Sequence, residues 1–509
     1  MQPAEVPIEA IQDLAAREKV CVRPLLRRVV DTVTGESAMV ALPCQSTRES
    51  RCPSCAAKAR ELRVAQCREG WHLEEEPADP EPTPSPDEAD APPEEQPADE
   101  RTQRSTRRRD DAPDLPRLPQ EDRTVGQAFE GKNGRVYRPS MFITLTLPGY
   151  GSIVPGEGVP VDPSRYDYRR AALDALHFPK LLDRWFQNLR RCAGYKVQYF
   201  GAVEAQRRLA PHFHVATRGA LPRWVVKAVT RATYVNIWWP QMDRPVFTET
   251  APEWDGIDYV SPTDGEPLKT WEEALDELER DDAGPSHTMR FGRQVDIKGL
   301  VSGTPDADRS VRYLTKYLTK AIGETYTDAD SVDLEYEAHI DRLHAEVRWL
   351  PCSPECANWL RFGVQPRHAG PGLIPGWCPS KAHDRDHLGL GGRRVLVSRK
   401  WSGKTLSQHK ADRAAVVREA LEAAGIEVES AQRMAASVAT TDGQTRYEWA
   451  TVVHGSAITA EVIMQGILER RRWRKQYDEA KALIQGVGPP VDSHSATGSR
   501  TGEGMRSHG

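Results

Sequence analysis

Residues 197–216 read Val-Gln-Tyr-Phe-Gly-Ala-Val-Glu-Ala-Gln-Arg-Arg-Leu-Ala-Pro-His-Phe-His-Val-Ala and predict a β-hairpin. β-Branched and aromatic residues dominate 197–206, which predicts a strand. A turn is predicted at 207–211 and a second strand at 212–217. Because side chains alternate along a strand, His212 and His214 share one face and Phe213 points to the other. In a hairpin, Glu204 would lie almost opposite the histidine pair.

Two imidazoles and a carboxylate that converge on one point suit an octahedral Mn²⁺ or Mg²⁺ ion with open positions. The third ligand depends on the register, since a slip of one residue would turn Glu204 to the other face. Gln206 would then be a better candidate. The alternative is a half-buried hairpin whose histidines bond to backbone groups.

Composition limits the class of protein. A chain of 509 residues should hold two or more domains. No apolar run approaches the roughly 18 residues of a membrane span, and the N-terminus lacks a signal-peptide pattern, so we expect a cytoplasmic protein with no membrane partner. The net charge is −5, but residues 74–100 hold twelve of the 74 acidic residues, which leaves 62 acidic against 69 basic elsewhere. This mildly basic remainder suits a nucleic-acid partner.

Five of the nine cysteines lie in residues 1–72 and predict a zinc-binding module. Cys52-Pro-Ser-Cys55 is a knuckle of the kind that grips Zn²⁺, and Cys44 and Cys67 flank it. Four thiolates complete a tetrahedral site, so we favour these four, with Cys21 as the rival for one outer position. The alternative is a set of free buried cysteines.

Residues 73–124 are rich in Pro, Glu and Asp, then basic, and predict a disordered linker. After it we expect a strand at 141–148, a helix at 169–193, the hairpin, a helix from Pro222 to about Val235, a short helix at 270–279 and a strand at 291–301.

Residues 306–322 predict a helix with two faces. Val311, Leu314 and Leu318 lie on a core face, and Asp306 and Asp308 are expected to cap and charge its start. The other face carries two phenols and two ammonium groups, which suit contact with phosphates: Tyr313, Lys316, Tyr317 and Lys320. The alternative is a solvated surface.

A second Cys/His region follows, and its ligand choice is ambiguous among Cys352, Cys356, Cys378, His383 and His387. Gly403-Lys404-Thr405 is similar to the end of a P-loop, but Ser398 occupies the position of the required glycine, which excludes an ATPase of that type. Helices are expected at 408–424 and 456–485.

Three motifs in this order resemble the HUH endonucleases: Phe-Ile-Thr-Leu-Thr-Leu-Pro at 142–148, Pro-His-Phe-His-Val at 211–215 and Tyr-Leu-Thr-Lys-Tyr-Leu-Thr-Lys at 313–320. Within that class the chain looks most like rolling-circle replication initiators of actinomycete plasmids and integrative elements. The resemblance implies an α+β fold with a central antiparallel sheet and flanking helices. The expected domains are a zinc module at 1–72, a linker at 73–124, an endonuclease core at 125–325, a second Cys/His region at 326–405, helices at 406–485 and a disordered tail at 486–509.

The resemblance also implies a mechanism. A metal held by His212, His214 and Glu204 would polarise the scissile phosphate of single-stranded origin DNA. A tyrosine would attack phosphorus and leave a 5′-phosphotyrosine and a free 3′-hydroxyl. A tyrosine ordinarily ionises near pH 10, so Lys316 or Lys320 would assist.

The family pattern Lys-Tyr-x-x-Lys favours Tyr317 for the first cleavage, and Tyr313, where related initiators have Glu or a second Tyr, would make the terminating transfer. A host helicase and DNA polymerase are implied partners. Two alternatives remain: a conjugative relaxase or HUH transposase, and a non-catalytic zinc-dependent DNA-binding regulator.

Overall fold

The computed structural model describes residues 7–71, 73, 75–77, 115–130, 132, 134, 136–301, 304–316, 333–392, 394–412, 445–452 and 455–484. The chain forms two compact units that are not contiguous in sequence. One contains residues 1–46, 51–56 and 407–509, and the other contains residues 47–50 and 57–406. The N-terminal segment and the last helix therefore belong to one unit, and the second Cys/His region shares a unit with the predicted endonuclease core.

The larger unit is built on a five-stranded antiparallel sheet, which gives the α+β class that the sequence predicts. Its strands are β5 (Pro139–Thr146), β6 (Gln198–Ala205), β7 (Pro211–Arg218), β12 (Val295–Val301) and β13 (Val395–Val397). Their order across the sheet is β12-β5-β7-β6-β13. Strands β6 and β7 are the predicted hairpin, and Glu204 pairs directly with His212 in the expected register.

The sheet is covered on both faces. Phe213, Val215 and Val203 point into the main core, which is filled largely by a 26-residue helix, α3 (Tyr168–Ala193). Ala202, Ala216 and Phe200 point the other way, into a smaller apolar cluster. That cluster also contains Trp71, at the end of α2 (Pro53–Trp71), and Val311 and Leu314 of α6 (Pro305–Thr315). The histidines and Glu204 lie on this second face, because they alternate with the main-core residues along each strand.

The helices of the larger unit follow the predicted apolar periodicity. The predicted helix from Pro222 is α4 (Arg223–Ala232), which ends earlier than expected because the chain turns into β8 (Tyr234–Ile237). The predicted helix at 270–279 is α5 (Trp271–Arg280), closed by a capping box between Thr270 and Glu273. Helix α7 (Leu334–Trp349) packs against α3. The remaining short strands are β3 (Phe129–Glu130), β4 (Val136–Tyr137), β9 (Glu253–Trp254), β10 (Tyr259–Val260) and β11 (His287–Arg290).

Two local expectations are corrected. The N-cap of α6 is Thr304, whose side chain accepts from the backbone N–H of Ala307 at 3.4 Å, while the aspartates expected to cap the helix lie in its first turn. Residues 115–124, the end of the predicted linker, are an ordered part of the larger unit, held by backbone hydrogen bonds such as that from Glu121 N–H to the Gly194 carbonyl at 2.8 Å.

Among its described residues, the smaller unit contains a three-stranded sheet and helices. Its elements are α1 (Ile8–Arg17), β1 (Leu25–Asp31), β2 (Ser37–Leu42), β14 (Tyr447–Thr451) and α8 (Ser456–Ile484), with β1 central in the sheet. Its core joins Ile11 and Ala15 of α1 to Ile463 and Ile467 of α8, together with Cys52 and Cys55. None of the helices in the described ranges has the length and apolarity needed to cross a membrane.

Candidate functional site

The histidine pair lies at the centre of the large sheet, where β7 is flanked by β5 and β6. His214 pairs with Thr144 on one side and with Ala202 on the other, and His212 pairs with Thr146 and Glu204. The two imidazole rings are 4.1 Å apart between centroids. Nε2 of His214 lies 3.8 Å from Oε2 of Glu204. The three predicted ligands therefore share one face and one neighbourhood.

Several polar atoms of this group are buried without a partner. Both ring nitrogens of His212 and Oε1 of Glu204 are shielded from solvent and make no hydrogen bond. Buried polar atoms are normally paired, so unpaired polar atoms on converging side chains indicate a site that binds a ligand. Nitrogen and carboxylate donors of this kind suit a divalent metal, and the residues present therefore fit one.

Burial also sets the protonation of these side chains. It lowers the pKa of His212 to about 4, with the charge of Arg208 adding to the effect, and lowers that of His214 to about 3, with His212 adding. Neutral imidazoles can donate a lone pair to a metal at neutral pH. Burial raises the pKa of Glu204 to about 7, although the positive charges of Arg394 and Lys316 oppose the shift.

Thr144 orients His214. Its Oγ1 lies 2.9 Å from Nδ1 of the buried ring. When that nitrogen donates its proton to the hydroxyl, the lone pair is on Nε2, which faces Glu204. The sequence contained a signal for this contact, because Thr144 and Thr146 alternate with apolar residues in β5 and therefore share one face of the strand. Phe142 stacks on the same imidazole at 5.7 Å.

Tyr313 brings a hydroxyl to the site from α6. Its oxygen lies 3.3 Å from Nε2 of His214, and its ring meets the imidazole edge-on at 4.8 Å. Val311 and Leu314 of the same helix are fully buried against the sheet, which leaves Tyr313 directed at the histidine and 43% exposed. Lys316 is the C-cap of α6, while Tyr317 and Lys320 lie outside the described residues.

Sequence reasoning missed Arg394. Its carbonyl accepts from Val203 N–H at 2.8 Å, next to Glu204 in β6, and its charge is one of the two that lower the pKa of that carboxyl. Nothing in the Gly-Gly-Arg-Arg sequence at 391–394 indicated this. The alternative ligand Gln206 lies in the hairpin turn, where its side-chain oxygen accepts from Arg208 at 2.8 Å.

The donor atoms of two other groups of side chains lie closer together than those of His212, His214 and Glu204. In the part of the chain that the structure describes, the sets whose donor atoms all lie within 4.8 Å of one another are Cys21, Cys44, Cys52, Cys55 and Cys352, Cys356, Cys378, His383. His212, His214 and Glu204 are not such a set. Each cysteine-rich group could hold a metal ion.

The first of these groups corrects the predicted ligand set. Cys21 replaces Cys67, which is fully buried in the apolar cluster with Trp71 and Trp401. Cys21 Sγ accepts from Cys44 N–H at 3.3 Å and lies 3.9 Å from Cys52 Sγ. The predicted Cys44, Cys52 and Cys55 remain together.

Residues 7–468 match the family model described as RepSA, replication initiator protein, pSAM2. No curated protein and no solved structure matched the chain. The matched range contains the histidine pair, α6 and both cysteine-rich groups. The chain therefore belongs to the RepSA family of replication initiator proteins.

Proposed function

We propose that the protein initiates rolling-circle replication of a plasmid by nicking and rejoining single-stranded DNA at the origin. The observation that carries the proposal is the 3.3 Å contact between the Tyr313 hydroxyl and Nε2 of His214, which brings a nucleophile type and a metal-ligand type into one site. Tyr313 is exposed enough for DNA to reach, whereas His214 and Glu204 are each 4% exposed.

His212, His214 and Glu204 would hold Mn²⁺ or Mg²⁺. The bound ion would draw charge from the oxygens of the scissile phosphate. The neutral histidines supply lone pairs, Thr144 keeps that of His214 directed at the site, and Glu204 supplies negative charge. The nearby cations Lys316 and Arg394 favour the ionised form of Glu204.

The covalent step is an exchange of ester bonds. A tyrosine oxygen loses its proton to solvent and forms a bond to phosphorus, and the bond from phosphorus to the 3′-oxygen breaks. The departing oxygen takes up a proton and becomes the free 3′-hydroxyl that primes synthesis. Reversal of the same exchange rejoins the strand, so the reaction needs no external energy source.

Two tyrosines are assigned to two transfers. Tyr317 is assigned the first cleavage, because Lys316-Tyr317-Leu318-Thr319-Lys320 matches the family pattern. Tyr313 is assigned the terminating transfer, which its position beside His214 supports. A chain with only one competent tyrosine would release the displaced strand without closing it.

Lysine charge supports the reaction. Lys316 is the C-cap of α6, about one turn after Tyr313, and its charge acts on Glu204. We assign it the role of steadying negative charge on the phosphoryl oxygens, and Lys320 is assigned the same role. Origin DNA would be cut as a single strand, and a host helicase and DNA polymerase would unwind and extend it. Family membership favours this reading over a relaxase or transposase.

The test is the formation of a covalent adduct. Full-length protein is incubated with a 5′- or 3′-labelled single-stranded origin oligonucleotide and Mn²⁺, and the products are separated under denaturing conditions. We expect an adduct with the 3′-labelled fragment alone, lost in His214→Gln. Tyr317→Phe should abolish the first adduct, and Tyr313→Phe should retain it but block transfer to a second strand.

Tyr477→Phe is the matched control, because Tyr477 is also an exposed tyrosine, at 38%. It should react as the wild type does. If the protein bound duplex DNA specifically but formed no Mn²⁺-dependent adduct, the proposal would be wrong and a non-catalytic zinc-dependent regulator would be the better interpretation. An adduct that persists in Tyr317→Phe and disappears in Tyr313→Phe would reverse the two roles.

A further inference from the structure

The second cysteine-rich group lies in the segment between α7 and β13. We propose that Cys352, Cys356, Cys378 and His383 bind one Zn²⁺ ion as a closed structural site. All four donor atoms lie within 4.8 Å of one another, and Cys356 and His383 are buried. Three thiolates and one imidazole are a standard donor set for structural zinc.

The distances fit a tetrahedron around zinc. With Zn–S bonds of about 2.3 Å and a Zn–N bond of about 2.0 Å, the edges of the tetrahedron are about 3.8 Å between two sulfurs and about 3.5 Å between sulfur and nitrogen. The Sγ atoms of Cys352 and Cys378 are 3.8 Å apart, and Sγ of Cys356 is 3.5 Å from Nε2 of His383. A disulfide needs about 2.05 Å, and all nine cysteines are unpaired.

The imidazole is already oriented as a ligand. Nδ1 of His383 donates to the backbone carbonyl of Val347 in α7 at 2.8 Å, which leaves the lone pair on Nε2, facing Cys356. A hydrogen bond of this type usually fixes the tautomer of a zinc-bound histidine. The rival ligand His387 instead places Nδ1 3.0 Å from Arg48 and 3.5 Å from Asp384, outside the group.

The four ligands join parts of a long irregular segment. Cys352 follows the end of α7, Cys356 caps the 3₁₀ helix Ala357–Phe362, and His383 ends the 3₁₀ helix Lys381–His383. Residues 350–394 have no longer regular element in the described positions. A bound metal can supply the stability that such a segment does not obtain from secondary structure.

The position of residues 350–394 suggests what the zinc ion stabilises. This segment leads into Arg394 and β13, and β13 pairs with β6, the strand that carries Glu204. Val395 and Leu396 pair with Ala202 and Gly201. The ion would therefore hold the edge strand and the Arg394 charge in place beside Glu204, without taking part in any reaction.

The test measures zinc directly. Full-length protein and variants, purified without added metal, are analysed for zinc per chain by inductively coupled plasma mass spectrometry. Cys378→Ser and His383→Ala should each lose one equivalent relative to the wild type. The matched controls His387→Ala, for the rival histidine, and Cys192→Ser, for a buried cysteine outside both groups, should lose none. Unchanged zinc in Cys378→Ser, or equal loss in His387→Ala, would overturn the proposal.

A second measurement covers variants that fail to fold. Wild-type protein is reconstituted with Co²⁺, and thiolate-to-cobalt charge-transfer absorption is compared with that of Cys44→Ser, which removes the N-terminal group. In Cys44→Ser, the group of Cys352, Cys356, Cys378 and His383 should still bind Co²⁺ and give the charge-transfer absorption of three thiolates. Absence of residual absorption, or a Cys352–Cys378 disulfide found by mass spectrometry, would refute the site. In the folded Cys378→Ser protein, amide exchange at 198–205 should rise, because Val203 loses a fixed partner in Arg394.

Discussion

Replacing Thr144 by valine should weaken divalent-metal binding at the histidine pair by roughly 10- to 100-fold, the usual cost of removing a hydrogen bond that orients a ligating histidine. The hydroxyl lies 2.9 Å from Nδ1 of His214 in a buried setting. Valine has nearly the same shape as threonine, so the packing of β5 is kept while the partner of the ring nitrogen is lost.

The magnitude follows from burial. A buried polar group left without a partner costs about 1–3 kcal/mol, and a tenfold change in affinity corresponds to about 1.4 kcal/mol. His214 is 4% exposed, so water cannot replace the hydroxyl. The ring is also free to take the other tautomer, in which Nε2 carries the proton and cannot bind a metal.

Mn²⁺ binding can be followed by the loss of the free-ion electron paramagnetic resonance signal, independently of nicking. Thr144→Ser should keep wild-type affinity, because serine retains the hydroxyl. Thr146→Val is the matched control on the same strand and face, since the Thr146 hydroxyl contacts the Gln294 carbonyl at 3.3 Å and not a histidine. Equal affinity in Thr144→Val and the wild type, with normal stability, would refute the reasoning.

Three further outcomes are expected. Cys21→Ser should lose one zinc per chain and Cys67→Ser none, by the same elemental analysis, because only Cys21 lies in the N-terminal group; the reverse result would restore the original ligand set. Gly201→Ala should lower the free energy of unfolding by about 1–3 kcal/mol in urea titrations, since a Cβ would meet the Phe213 ring at 2.3 Å, whereas Gly299→Ala, with open space, should not share this clash. Burial holds the pKa of His177 well below its usual range. As the pH is lowered below about 6.5, this histidine therefore takes up a proton in the unfolded chain but not in the folded one. The free energy of unfolding then decreases by up to about 1.4 kcal/mol for each pH unit of acidification. His177→Leu should reduce the slope of unfolding free energy against pH by about one proton there, and an unchanged slope would contradict this.

The parts of the site that sequence could predict are those set by local periodicity. Glu204 and His212 are eight residues apart in one hairpin, so a short turn and strand alternation were enough to place them opposite each other. Tyr313 lies 99 residues from His214; helical periodicity predicted the face of α6 that carries it, but its meeting with the histidine pair was predicted only from the order of the motifs.

The misassigned cysteine has a simple physical reason. Cys55 and Cys67 both lie on α2. A helix rises about 1.5 Å per residue, so their separation along it is about 18 Å, far more than one tetrahedral site spans. Recognising 53–71 as a helix would have excluded Cys67. Arg394, by contrast, hydrogen-bonds to Val203 of β6 across 191 residues, a contact that a single sequence does not reveal.

The register of the hairpin, on which Glu204 depends, is secured on the opposite face of the sheet. Phe213 is fully buried against α3, and its ring occupies the space that Gly201 leaves free on the neighbouring strand. A slip of one residue would turn the Phe213 ring away from the core and bring His212 and His214 into it, exchanging a satisfied aromatic for two unpaired imidazoles. The energetic cost of such a slip therefore arises in the main core and not among His212, His214 and Glu204. Gly201, which leaves room for the Phe213 ring, therefore favours the register in which the histidines and the carboxylate share one face.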